Sequence, residues 1–95
     1  MNNAEARAVV IGALATYREW SYGQLCEIVD APKRTFEMVG PSGARYQIDV
    51  RAYWDGEPNV NIRVVGTIDD GGWRAFLPLV ESFIKAPDGS FVGES

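Results

Sequence analysis

With 95 residues, 46% of them hydrophobic and 12% aromatic, the chain can bury one core without cross-links, and its single cysteine, Cys26, excludes an intramolecular disulfide and an all-sulfur metal site within one chain. Nine basic against thirteen acidic residues give a net charge of −4, which repels phosphate backbones and argues against nucleic acid as a partner. Histidine is absent, so the commonest proton-transfer group near neutral pH and the commonest metal ligand are both missing.

Composition does not shift along the chain, so residues 1–95 are read as one domain. Ala6, Val9, Val10, Ala13, Leu14 and Tyr17 recur at helical spacing and predict an N-terminal helix. Asn2 is its expected cap, with Glu5 placed to reach back to the cap amide. The apolar run Ala8 to Ala15 is about half of the ~20 residues a membrane span needs, and it follows Glu5 and Arg7 rather than a basic leader. Neither signal peptide nor anchor is read there, and a cytoplasmic protein is expected. Ser21 and Gln24 repeat the capping-box spacing ahead of Leu25, Ile28 and Val29, predicting a short second helix with a strand as its competitor.

From Thr35 the period changes to two. Thr35 to Val39 is a first strand, turned back by Gly40, Pro41, Ser42 and Gly43. In the next strand Tyr46, Ile48, Val50, Ala52 and Trp54 face the core, while Arg45, Gln47, Asp49, Arg51 and Tyr53 face water. After a turn at Asp55 to Asn59, Val60, Ile62, Val64, Gly66 and Ile68 resume the apolar face. Two registers keep the apolar faces together, one setting Arg51 opposite Arg63 and the other Asp49 opposite Arg63, and electrostatics favours the second. Asp70 and Gly71 signal the next hairpin. Trp73 to Ile84 reads as a strand that is an edge, bulged or broken at Pro78, with a helix opening at Pro78 as the alternative. Ala86, Pro87, Asp88 and Gly89 fit a turn with a left-handed glycine, closing a small hairpin between Phe83, Ile84 and Phe91, Val92. The expected fold is α+β: two N-terminal helices packed on a curved antiparallel meander of four or five strands.

Two places could carry function. The segment Ile68 to Phe76 gathers Asp69, Asp70, Trp73 and Arg74, where carboxylates could hold a cation and the guanidinium an anion, although the oxygen count and spacing of a calcium loop are missing and a plain acidic turn accounts for the same residues. The wet sheet face carries Arg45, Arg51, Arg63 and Tyr53, a composition closer to binding surfaces than to a lysine-rich solvated face. A solvated face with cross-strand ion pairs is its competing reading. Cys26 has no histidine to activate it and reads as structural. No catalytic residue, cofactor or metal is assigned.

The segment IDDGGWRAFLPLVESFIKAPDGSFVGE, residues 68–94, resembles a group of short bacterial proteins of uncharacterised function that share an IDDGGWR turn, a following Pro-Leu and a SFI…PDGSF ending. The resemblance implies a bacterial cytosolic protein and no particular activity. At fold level, helices followed by a curved meander are similar to cystatin-like and NTF2-like cones, folds that host many functions. The leading expectation is a non-catalytic protein-interaction module whose partner is another protein or a second copy of the chain, using the arginine and tyrosine face or the edge strand near Pro78. The alternatives are a small-ligand binder or enzyme with a pocket between helix and sheet and Asp69, Asp70 and Arg74 at its mouth, and an immunity or inhibitor protein suited by small size and acidity.

Overall fold

The computed structural model describes residues 1–72 and 78–94. Its elements run α1 (Asn3–Arg18), α2 (Tyr22–Ile28), β1 (Arg34–Val39), β2 (Arg45–Trp54), β3 (Ile62–Asp69) and β4 (Leu79–Lys85). The strands form one antiparallel sheet in sequence order, β1-β2-β3-β4, and both helices pack on the same side of it. This is the expected α+β architecture, with four strands.

The Asn2 side chain accepts from the Glu5 amide at 3.0 Å, capping α1. The Glu5 carboxylate does not complete the box; it reaches Ser42 and Tyr46 instead. At α2 both halves of the box form: the Gln24 amide donates to Ser21 Oγ at 3.1 Å and the Ser21 amide to Gln24 Oε1 at 2.8 Å. The strand character of the second segment appears only at its end, where Val29 leaves the helix and bridges Ala52 in parallel.

Ala6, Val10, Ala13, Leu14 and Tyr17 of α1 and Leu25 of α2 are buried against Tyr46, Ile48, Val50, Ala52, Ile62, Val64, Ile68 and Phe83 of the sheet. Each valine, leucine, isoleucine or phenylalanine among them contributes about 1.5–3 kcal/mol relative to exposure, so this layer supplies most of the driving force for folding. Of the aromatics that could fill the space between helices and sheet, Tyr17 is buried, Phe36 and Trp54 are half-buried rim residues, and Phe76 lies outside the described residues.

Gly66 lets α1 approach: a Cβ there would meet Val10 Cγ2 at 3.0 Å and Leu14 Cδ2 at 3.1 Å. The carboxyl end of α1 is tied down by Lys85. This lysine is 6% exposed, and its Nζ donates to the carbonyls of Trp20 at 2.7 Å and Arg18 at 2.9 Å.

The β2–β3 register differs from both expectations, for Tyr53, rather than Arg51 or Asp49, lies opposite Arg63. The turn takes two more residues than the apolar alternation suggests. Gly56 and Asn59 adopt left-handed conformations, the Asp55 amide bonds the Asn61 carbonyl at 2.8 Å, and Val60 is left 40% exposed outside the sheet. Arg63 then pairs with Asp55 of the same loop, at 3.1 Å, instead of with Asp49. Beyond β3 the strand reading holds over a helix: β4 begins at Leu79, directly after Pro78, whereas residues 73–77 lie outside the described residues. Gly89 is left-handed, as its turn requires, and the closing hairpin is a single bridge between Lys85 and Phe91.

Replacing Gly66 with Val should lower stability by about 1–3 kcal/mol in urea denaturation by overpacking α1, whereas Gly12→Ala, in open space on the helix's outer face, should raise it by about 1 kcal/mol. Lys85→Met keeps the stem but strips two helix-end carbonyls of their donor, and should cost about 1–3 kcal/mol by the same measurement.

Candidate functional site

Strand alternation sends Arg45, Gln47, Asp49, Arg51 and Tyr53 of β2 to the face away from the helices, with Arg63, Val65, Thr67 and Asp69 of β3 beside them. Arg51 lies opposite Val65, which pairs in turn with Ser82 of β4; one step along, Asp49 lies between Thr35 and Thr67. At the centre of this face is a hollow of about 270 Å³ lined by Lys33, Asp49, Arg51, Tyr53, Val65 and Thr67.

The charges of this face are mostly satisfied. Asp49 accepts from Thr35 Oγ1 at 2.7 Å and lies 3.4 Å from Lys33 Nζ. Arg63 bonds Asp55 through Nε and Ser82 Oγ, at 3.2 Å, through Nη1. Arg45 approaches Glu37 at 3.6 Å. On the other side of the sheet Arg7 pairs with Glu81, Arg18 with Glu94 while lying over Phe91 and Phe83, and Arg34 lies over Trp20. Among the described arginines only Arg51 has neither a carboxylate nor an aromatic partner. Beside it, Tyr53 is 40% exposed.

The expected site residues therefore separate. Arg51 and Tyr53 meet at the hollow. Arg63 is opposite Tyr53 but turned to its loop, and Arg45 lies six residues from Arg51, about 20 Å along the strand, at the opposite end. Asp69 and Asp70 belong to that opposite end too, and they serve their turn: Asp69 Oδ1 accepts from the Gly71 amide at 2.8 Å and Asp70 Oδ1 from the Gly72 amide at 3.0 Å. Trp73 and Arg74 lie outside the described residues. Lys33 and Thr67 join the hollow without having been singled out; the Gly40–Gly43 turn, read as a register, would have placed Lys33 opposite Arg51.

A second, larger groove of about 610 Å³ runs between α1 and β4, lined by Ile11, Leu14, Ala15, Arg18, Glu81, Ser82 and Glu94. It lies at the margin of the helix layer, away from Asp69 and Asp70, while the layer's centre is filled by the core. Cys26 is half-buried on α2 and packs against that core.

In one carboxylate–phenol pair each partner shifts the acidity of the other. Glu5 accepts from the Tyr46 hydroxyl at 2.6 Å, the Ser42 hydroxyl at 2.7 Å and the Ser42 amide at 2.9 Å. The tyrosine and serine donors hold the carboxyl below its ordinary range, and the bond to Glu5, reinforced by burial, pushes the phenol up to about 12. With every donor committed, the pair fastens α1 to the β1–β2 hairpin rather than offering a proton.

The chain matches no family model, no curated protein and no solved structure.

The Glu5–Tyr46 bond needs an ionised carboxylate and a neutral phenol. A carboxyl held below its ordinary value of 4.5 stabilises the fold above that value and loses the contribution as pH falls through its folded pKa. A phenol raised from 10.0 to about 12 stabilises below 10.0 and loses the contribution as pH rises toward 12. The stability difference between the natural chain and Tyr46→Phe should therefore be constant near neutrality and shrink below about 4.5 and above about 10. Urea titrations of both proteins across pH would show it; a difference independent of pH would contradict the bond.

Proposed function

We propose that the chain is a non-catalytic protein-interaction module that binds through the open face of its sheet, around Arg51 and Tyr53. The observation that carries this reading is the hollow in which the Arg51 guanidinium, without a carboxylate or aromatic partner among the described residues, stands beside an exposed tyrosine and Val65, the mixture of arginine, aromatic and apolar surface that concentrates binding energy at interfaces. The carboxylates best placed for chemistry are engaged elsewhere: Glu5 by three donors, Asp49 by Thr35 and Lys33, Asp55 by Arg63, Asp69 and Asp70 by turn amides. The hollow is also slightly smaller than a usual small-molecule pocket of about 300–1,000 Å³. A free thiol supports a cytoplasmic setting; among the described residues no helix is long and apolar enough to cross a membrane.

The chain has two lysines, and Lys85 is buried. Lys33, on the rim of the hollow, is therefore the exposed lysine. An amine-reactive cross-linker applied in extracts of the source cells should join a partner, or a second copy, through Lys33, and the product should vanish in Tyr53→Ser with Val65→Ser while circular dichroism stays unchanged. Products only at the terminal amine, or undiminished by those substitutions, would refute this use of the face.

A further inference from the structure

Among the described arginines of the open face Arg51 has no carboxylate partner, and its position defines the chemistry of what covers it. Two cations, Lys33 and Arg51, and one carboxylate, Asp49, line the hollow, so its local charge is positive in a chain of net −4. Asp49 is committed toward β1, to Thr35 at 2.7 Å and Lys33 at 3.4 Å. Arg51 faces no anion among the described residues. Tyr53 and Val65 border it, the first along the same strand and the second directly opposite on β3.

A partner laid over this face removes Arg51 from water. An apolar or basic surface would leave a buried, uncompensated guanidinium, whereas a carboxylate accepts its fork of donors through two oxygens. Lys33, the residue before β1, lines the same hollow and adds to its positive charge beside its Asp49 partner. The Tyr53 ring and Val65 give the methylene of an acidic side chain an apolar wall.

We propose that the partner of this face inserts an aspartate or glutamate side chain of a protein segment into the hollow, with Arg51 as its anchor, Lys33 as a second cation and Tyr53 as its wall. This assignment rests on the reading of the open face as an interaction surface.

The test is a peptide array of short immobilised sequences sorted into acidic, neutral and basic sets, followed by titration of the bound peptides against the isotope-labelled chain. Binding should concentrate in the acidic set and shift the Arg51 Nε–H resonance. It should weaken about tenfold in Arg51→Gln, remain unchanged in Arg45→Gln, and fall in molar salt, where the screening length drops to about 3 Å. Acidic peptides bound equally well by Arg51→Gln would overturn the proposal. So would acetate, citrate or phosphate that shifts the Arg51 resonance as strongly as the peptides, since the hollow would then be a small-anion site. If neutral or basic peptides bind at Tyr53 and Val65 and acidic ones do not, the acidic anchor is wrong while the interaction surface stands. If no set binds and no Lys33 cross-link forms, both readings fall.

Discussion

A glycine in the middle of β3 sets the distance between the two layers of this protein. Because Gly66 carries no side chain, Val10 and Leu14 of α1 rest against strand backbone, and a single methyl group at that point would already crowd them. Close approach makes the rest of the burial attainable. Ala6 and Ala13 add little volume of their own, and they fill the seam between helix and sheet only because the axis runs so near the strands. The long connections then hold the helix in that place: Glu5 at one end through Ser42 and Tyr46, Lys85 at the other through the last carbonyls.

With both helices on one side, the opposite side of the meander has only its own side chains to satisfy its charges. Most do so across strands or within the adjoining loop, as Asp49 does with Thr35 and Lys33 and Arg63 with Asp55. Exposed pairs of this kind are worth at most about 1 kcal/mol each, so they contribute little to folding. Their effect is on what the surface presents: once they are drawn together, the Arg51 guanidinium and the Tyr53 phenol, among the described residues, remain available to a neighbour.

Much of the fold was legible from the chain. The 3.6-residue recurrence through Tyr17, the capping spacing of Ser21 and Gln24, and the strict alternation from Arg45 to Trp54 each obey a single local rule, and each element forms where that rule places it. The register between β2 and β3 was not legible, because alternation is unchanged by a shift of two residues and the turn chemistry of Gly56 and Asn59 decides the matter. Glu5 escaped for a related reason: its spacing to Asn2 is that of a capping box, but three donors from a hairpin some forty residues away compete for the same carboxylate and win. Part of the site could be read, since Arg51 and Tyr53 follow from alternation alone. That Arg45 and Arg63 are spoken for, and that Lys33 is a neighbour, depends on pairings that only the assembled sheet defines.

The sequential strand order also bears on how the molecule assembles. Every strand pairs with its neighbour in the chain, so each pairing closes a short loop with a modest entropic cost. The contacts between the end of α1 and the tail are of another kind: Lys85 to Trp20 spans 65 residues, Lys85 to Arg18 spans 67, and Arg18 to Glu94 spans 76. The β-meander can thus zip up along the chain at low topological cost, while the joining of the first helix to the last residues is the step that must wait for the ends to meet.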